Sequence, residues 1–251
     1  MMASDTVDAK RVLDANREVY DAIADIYEKV DGRRKDELME WLEFELDSLS
    51  KRTSRGRILD FGCGTGFVLK KSKRFFDESY GVDVSFNILK KINVPVNGIV
   101  VNDGNPLPFR NESFDVVVFF SVLHHLFDLK PYFREAYRVL KPGGVLYADH
   151  DLDNMFYKNF FFPLKAYRMV FNEAKAIQSS KGVSEETFRL SEYHSNGLKK
   201  EEVSTTLDDA GFKEVRFSYH WQGLNKILNK VFGGRKFPQG LAPLMSITAV
   251  K

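Results

Sequence analysis

The sequence predicts an α/β fold, in which a mostly parallel sheet is covered by helices on both faces. The run Arg57–Leu69 has the pattern of a buried strand, a glycine-rich loop and the start of a helix, the arrangement of a nucleotide-type site. The run Phe114–Phe120 is apolar apart from Asp115, as expected for a central strand with both faces covered. The 251 residues suffice for one large α/β domain with additional segments.

Apolar residues recur at helical spacing before the first strand and predict two helices. The first helix carries Val19, Ile23 and Ile26, and the second carries Leu38, Leu42 and Leu46. We interpret residues 1–52 as an N-terminal helical cap and residues 53–251 as the main domain. The cap either packs on the domain edge or covers a ligand, in which case Tyr20 or Tyr27 contacts that ligand.

Asp60 lies where the first predicted strand ends, directly before the glycines Gly62 and Gly64. A dinucleotide enzyme places its pyrophosphate at this position. A carboxylate would repel a diphosphate and attract an ammonium group. The sequence therefore predicts a ligand with an ammonium group and no phosphate, which S-adenosylmethionine fits, and it disfavours a dinucleotide oxidoreductase.

Two further aspartates follow the next predicted strands. Asp83 comes about 20 residues after the first glycine of the loop, where an acid can accept hydrogen bonds from ribose hydroxyls. Asp103 follows the run Gly98–Val101, and its carboxylate could accept a hydrogen bond from an adenine amino group. Each could instead cap a helix or form an Asx-turn. Three carboxylates at three successive strand ends favour a ligand.

Five stretches, in order and spacing, resemble the motifs of class I S-adenosylmethionine-dependent methyltransferases, the broad group that includes ubiquinone and menaquinone methyltransferases. They are Ile58–Gly66, Gly81–Asp83, Asp103–Phe109, Ser113–Leu126 and Glu135–Val145. The resemblance implies a Rossmann-like three-layer sandwich with a seven-stranded, mostly parallel sheet and one antiparallel edge strand. Helical lid insertions are expected at about 151–200 and 221–244.

The resemblance also implies which residues bind the cofactor, S-adenosylmethionine. Asp60 and the glycine loop would hold its methionine end, and Asp83 its ribose. Asp103 with Gly104 would hold the adenine, and the backbone at Phe120 would lie beside the sulfonium. The full set of expected contacts is Tyr27, Asp60, Gly62, Cys63, Gly64, Asp83, Val84, Asp103, Gly104, Phe120 and Ser121.

Methyl transfer from a sulfonium is an in-line displacement, so the protein mainly positions the acceptor and excludes water. A base is needed only where the acceptor must lose a proton. The candidates are His150, His125 and His194, with Asp149 or Asp151 as orienting groups. His150 is the first choice because it leaves the fifth strand at the ligand edge of the sheet. A structural role fits each histidine equally well, and no spacing supports a metal site.

Two segments beyond the matched stretches, Asn154–Phe171 and Trp221–Phe237, are rich in aromatic and basic residues. In the family such segments lie above the site, so both are candidates for a substrate lid. An aromatic lid with basic edges predicts a small apolar or amphipathic acceptor and favours contact with a membrane surface. The alternative is a helical cover on the sheet or a dimer face, and the oligomeric state is open.

Bulk composition narrows the remaining choices. A net charge of +2, from 37 basic and 35 acidic residues, gives no reason to expect a nucleic-acid partner. The polar start of the chain and the absence of an apolar run of ~20 residues predict a cytoplasmic enzyme. A methyltransferase acting on protein or RNA is the alternative function. A non-catalytic cofactor-binding module is disfavoured by the intact Asp60, glycine-loop and Asp83 set.

Overall fold

A computed structural model of the chain describes residues 7–30, 36–170, 182–224 and 226–251. The strands are β1 (Arg57–Phe61), β2 (Glu78–Asp83), β3 (Gly98–Val101), β4 (Phe114–Phe120), β5 (Leu140–Leu152), β6 (Lys213–His220) and β7 (Leu244–Val250). They form one seven-stranded sheet in the order β3-β2-β1-β4-β5-β7-β6. β7 runs antiparallel to both of its neighbours, and the other pairings are parallel. The predicted mostly parallel sheet with one antiparallel strand is confirmed. The antiparallel strand, β7, lies second from the edge, and β6 forms the edge itself.

Helices connect the strands and cover both faces of the sheet. The helices are α1 (Ala9–Ile23), α2 (Tyr27–Val30), α3 (Asp36–Arg52), α4 (Leu69–Ser72), α5 (Phe86–Leu89), α6 (Lys130–Val139), α7 (Asn154–Asn159), α8 (Phe161–Val170), α9 (Glu185–Ser191), α10 (Lys200–Ala210) and α11 (Lys226–Phe232). α10 ends at Gly211, whose φ of +104° only glycine adopts readily. Residues 171–181 of the first predicted lid segment lie outside the described residues.

The apolar run of β4 is explained by its position between two cores. Val117 and Phe119 are buried with α6 and α10 on one face of the sheet. Val116 and Val118 are buried with α3 on the other face. Because side chains alternate along a strand, both sets must be apolar when both faces are covered. This arrangement is the predicted three-layer sandwich.

The helix after the glycine loop is shorter than the sequence predicts. The pattern favours a helix from Phe67 to Phe75, whereas α4 covers Leu69–Ser72. Tighter bonds between residues three apart flank it: Lys71 N–H donates to Val68 O, and Phe75 N–H donates to Ser72 O. Such 3₁₀-type bonds tighten the chain at helix ends and shorten the α-helical part.

The N-terminal helix α1 packs against α9, which belongs to the segment after β5. Val12 and Ala15 contact Leu190, and further along α1 Val19 contacts Val183. α1 is therefore held beside the carboxyl ends of the strands by a segment remote in sequence. Among the described helices, none has both the length and the apolar character needed to span a bilayer.

Candidate active site

A cleft with about 1160 Å³ of open space lies at the carboxyl ends of the central strands. Its walls come from the glycine loop, the ends of β1, β2, β4 and β5, and one side of α1. Most of the predicted cofactor residues line it, namely Tyr27, Asp60, Gly62, Cys63, Gly64, Asp83, Val84, Phe120 and Ser121. The strand order brings these residues together because consecutive parallel strands end at the same edge of the sheet.

The glycine loop is held in a conformation that side chains would prevent. Gly62, Gly64 and Gly66 have φ values of +69°, +53° and +85°. The loop is tied to β2, since the Gly62 N–H donates a 2.8 Å hydrogen bond to the Val82 carbonyl. A Cβ at Gly62 would lie 2.6 Å from a methyl carbon of Val122. The loop therefore keeps its backbone open to the cleft only if this residue is glycine.

Two carboxylates stand at the strand ends behind this loop. Asp60 is 2% exposed and lines the cleft. Asp83 accepts hydrogen bonds of 2.9 Å from the N–H groups of Gly64 and Ser85, and burial raises its pKa. These side chains offer acceptors for an ammonium group and for hydroxyls, and the loop offers backbone groups. The arrangement fits S-adenosylmethionine.

Cys63 takes part in the cleft wall through its backbone. Its side chain is buried against Leu69 and Leu89, and burial raises the pKa of the thiol well above its usual value. The thiol therefore stays protonated in the core, which leaves only the main chain of this residue for a ligand.

The predicted adenine contacts lie apart from the other cofactor residues. Asp103 is exposed, and its carboxylate accepts a 3.1 Å hydrogen bond from the Asn105 N–H, which forms an Asx-turn. Gly104 lies so close to Phe61 that a Cβ at this position would be 2.1 Å from the ring. Neither residue lines the cleft, whereas Asn102 does. A role for Asp103 and Gly104 stays a prediction; Asn102, the first residue after β3, was missed although it follows a strand end as the glycine loop does.

His150 lines the cleft and is 4% exposed. Its backbone has a φ of +67°, at the point where the pairing of β5 with β7 shifts register. This left-handed conformation is uncommon for a residue with a side chain. The ring stacks on Phe120 at 4.5 Å, and its Nδ1 lies 3.3 Å from Oδ1 of Asp149.

Asp149 is fully buried beneath His150 and accepts four hydrogen bonds. The donors are the Trp41 Nε1–H at 2.9 Å, the Tyr147 hydroxyl at 2.5 Å, the His150 N–H at 2.7 Å and the His220 Nε2–H at 2.8 Å. Burial by itself would raise the pKa of Asp149, but the neighbouring histidines and their hydrogen bonds hold it well below its usual value. The carboxylate therefore remains charged inside the core.

Two side-chain clusters have a spacing that could hold a metal ion, within the part of the chain that the structure describes. In the first, Asp149, His150 and His220, the Asp149 oxygens are already occupied by four donors, and His220 Nδ1 accepts from the Gln222 N–H at 3.2 Å. In the second, His124, His125 and Glu192, both nitrogens of His125 are hydrogen-bonded. Both clusters are organised as hydrogen-bond networks.

His125 holds a cleft residue in place. Its Nδ1 lies 2.6 Å from the Ser191 carbonyl, so Nδ1 must carry the proton. Its Nε2 then accepts the hydroxyl hydrogen of Tyr20 at 2.8 Å. Burial lowers the pKa of His125 to about 4, which keeps the ring neutral. Both His125 and Tyr20 line the cleft.

His194 is the candidate histidine that the fold leaves outside the cleft wall. Its N–H donates to the His124 carbonyl at 2.8 Å, and burial lowers the pKa of its side chain. Of the three histidines, the structure brings His150 and His125 to the cleft, and a catalytic role for each stays a prediction.

The stability of the protein should depend on His125 between about pH 6.5 and 4. The unfolded chain binds a proton near pH 6.5, whereas the folded chain binds it only near pH 4. Stability from this group is therefore complete above pH 6.5 and falls, by about 3 kcal/mol, as the pH drops to 4. Urea unfolding at several pH values should show this loss in the wild type and a shallower slope in His125→Asn. Equal slopes would contradict the assignment.

The fold and the cleft together define a class I S-adenosylmethionine-dependent methyltransferase domain, whose cofactor is S-adenosylmethionine. Residues 59–148 match the model of a family described as "Methyltransferase domain". Residues 59–148 are thus a methyltransferase domain, and the fold and the order of the motifs are similar to those of class I methyltransferases.

Two relatives match the chain over about half of its length, and the name of the second agrees with this class. An uncharacterized protein of Methanocaldococcus jannaschii is 38% identical over 135 residues, which are 51% of this chain and 49% of that protein. A ubiquinone/menaquinone biosynthesis C-methyltransferase of Desulfotalea psychrophila is 31% identical, over 50% of this chain and 54% of that protein. The chain thus spans about half the length of these relatives.

A solved structure shows the same fold over almost the whole chain. It is a methyltransferase of Thermotoga maritima, described as a possible histamine N-methyltransferase. The TM-score is 0.61 with 18% identity, over 93% of this chain and 99% of that chain. At this identity the similarity concerns the fold.

Proposed function

We propose that the protein transfers a methyl group from S-adenosylmethionine to a small apolar or amphipathic acceptor. The observation that carries this proposal is the character of the cleft away from the glycine loop. There its wall is formed by aliphatic and aromatic side chains, which include Val12, Leu13, Leu38 and Phe127. Apolar walls with a few polar groups are typical of sites for small organic molecules.

The relatives support the same acceptor class. Two of them are named a demethylmenaquinone methyltransferase and a ubiquinone/menaquinone biosynthesis C-methyltransferase. Contact with a membrane surface is part of the proposal, because an apolar acceptor partitions into lipid. A cytoplasmic location stays a prediction.

Two of the predicted cofactor residues, Asp60 and Asp83, have defined roles in this proposal. Bound S-adenosylmethionine supplies a methyl group that is already activated by its sulfonium. Asp60 orients the ammonium group of the cofactor, and Asp83 the ribose hydroxyls.

We also propose that α1 to α3 form a cap and that the segments around α7, α8 and α11 form a lid. α1 supports the cap, since Asn16 and Tyr20 line the cleft.

His150 is the proposed general base where the acceptor must lose a proton. Asp149 lies 3.3 Å from Nδ1 and stays charged, so it favours the tautomer in which Nδ1 carries the proton and Nε2 is basic. A proton leaving the acceptor would move to this nitrogen as the acceptor attacks the methyl group. Nε2 is buried with Gly223 beside it, where a Cβ would lie 2.5 Å away, so a proton reaches this nitrogen only when the segment at Gly223 moves aside.

His150→Gln should lower kcat by about 10²–10⁴-fold with an acceptor that loses a proton, while the affinity for S-adenosylmethionine changes little. The matched control is His194→Gln, which alters a histidine outside the cleft wall and should leave kcat unchanged. Steady-state kinetics and calorimetric cofactor titration separate the two effects. Equal kcat values in the two variants would remove His150 from the mechanism.

Calorimetric titration of the protein with S-adenosylmethionine and with NAD tests the proposed function itself. Heat with S-adenosylmethionine, followed by methylation of apolar acceptors from a panel, is the expected result. Heat with NAD only would overturn the proposal. Methylation confined to protein or RNA substrates, with a steep salt dependence, would show instead that the protein is a methyltransferase of macromolecules. Cofactor binding without turnover on any acceptor would indicate a non-catalytic module.

A further inference from the structure

We propose that the surface formed by α7, α8, α11 and the segment 233–241 after α11 docks on an anionic phospholipid bilayer. We call this surface the basic apolar face. Its exposed apolar residues are Met155, Phe161, Phe162, Ile227, Val231 and Leu241, and its exposed cations are Lys158, Lys165, Lys226, Lys230 and Arg235. The biological meaning of this contact rests on the proposed function, whereas lipid binding itself needs neither cofactor nor acceptor.

Three apolar side chains of this face are more than half exposed, which is unfavourable in contact with water. Phe162 is 81% exposed, Ile227 75% and Val231 57%. Ile227 and Val231 are four residues apart on α11, so they lie next to each other on one side of the helix. Lys226 and Lys230 repeat the same spacing beside them. Exposed apolar residues grouped in this way mark a contact surface.

The helices of the face are joined into one surface by aromatic packing beneath it. The ring of Phe156 on α7 lies 4.6 Å from Phe160 and 5.2 Å from Trp221. Trp221 in turn stacks on Phe232 of α11 at 5.1 Å. α7 and α11 therefore share an aromatic base, and α8 follows α7 directly, with the ring of Phe161 5.6 Å from that of Tyr157.

The charge of the face selects an anionic partner. Residues 154–170 and 226–243 contain seven lysines and arginines and no aspartate or glutamate. Lys236 lies near Glu45. Burial raises the pKa of Glu45 to about 7, and the charge of Lys236 opposes this rise. Within the described residues, none of the exposed cations Lys158, Lys226, Lys230 and Arg235 forms an ion pair with a carboxylate. A bilayer with anionic headgroups satisfies these cations and accepts the apolar side chains between them.

Other occupants suit this surface less well. A second copy of the chain would bring the same cations face to face in a symmetric dimer, at a cost in repulsion. Nucleic acid would match the charge and could stack on Phe161 and Phe162, but the other exposed apolar side chains of the face are aliphatic and offer a base no ring.

The basic apolar face adjoins the cleft. α7 follows β5 and α11 follows β6, so both begin at the sheet edge that carries the glycine loop. Trp221 packs under the face, and Gly223, two residues later, packs against His150 of the cleft. A bilayer at this face would therefore lie beside the proposed acceptor site.

Flotation of the full chain with vesicles tests the inference. We expect binding to an equimolar mixture of phosphatidylglycerol and phosphatidylcholine, and about tenfold or more weaker binding to phosphatidylcholine alone. Ile227→Ser with Val231→Ser, and separately Lys226→Glu with Lys230→Glu, should each weaken binding to the anionic vesicles by about tenfold or more. All four side chains are exposed, so these variants should fold.

The matched control is Phe86→Glu on α5. Phe86 is also exposed (57%) and has Lys90 over its ring at 4.8 Å, but it lies toward the opposite edge of the sheet. This variant should bind vesicles as the wild type does. Absence of wild-type binding, equal binding to both vesicle types, or equal loss in the control would overturn the inference. The inference would also be overturned if the wild type formed a dimer that the Ile227→Ser, Val231→Ser variant dissociates. Retained S-adenosylmethionine affinity in such a case would leave the proposed function standing.

Discussion

Gly62→Ala should reduce the affinity for S-adenosylmethionine by about a hundredfold or more and lower the stability of the protein. The new Cβ would lie 2.6 Å from a Val122 methyl carbon, and the residue would have to keep a φ of +69°. Left-handed strain costs about 1–3 kcal/mol, and overpacking costs about as much again. Relief of both requires the loop to move from the position in which it faces the cleft. Calorimetric titration and urea unfolding measure the two losses.

Gly143→Ala separates strain from crowding. Gly143 has a φ of +74°, but a Cβ there would have nothing within 4 Å. This control should lose stability without losing cofactor affinity. Adding Val122→Ala to the Gly62 variant should recover part of the affinity. Full affinity in Gly62→Ala alone would show that the loop does not hold the cofactor.

Asp149→Asn should destabilise the protein by about 3–5 kcal/mol at neutral pH, because it breaks a buried, charge-assisted network. The buried carboxylate accepts hydrogen bonds from Trp41, Tyr147, His150 and His220. An amide has one oxygen, so its nitrogen would face donors that then lack an acceptor. Urea unfolding measures the difference. The control Asp209→Asn removes an exposed carboxylate that pairs with Lys130 and should change the free energy of unfolding far less, because water screens this pair.

The pH dependence of this difference has a defined sign. Since the pKa of Asp149 is lowered in the folded chain, its contribution is complete above the unfolded value of about 3.9. It is lost as the pH falls through the lower folded value. The gap between wild type and Asp149→Asn should therefore be constant near neutral pH and narrow in acid. A variant as stable as the wild type at pH 7 would refute the role of this network.

Much of the fold follows from local patterns. The alternation of side chains along β4 requires apolar residues on both sides, so the run Phe114–Phe120 indicates a strand with both faces covered. The glycines after Asp60 indicate a loop that only glycine can form. Parallel strands end at a common edge, so these local signals also predict the part of the cleft that contains Asp60 and Asp83.

The tertiary structure alone decided the roles of the other candidates. It pairs Tyr20 with His125, and Trp41 and His220 with Asp149, across 71 to 108 positions of the sequence. It places Asn102, not Asp103, in the cleft wall, and leaves His194 outside it. Spacing and turn chemistry describe only neighbours in sequence. Which side chain reaches a buried carboxylate or an open cleft depends on how α1, α3 and β6 pack against the sheet, and on the space left between them.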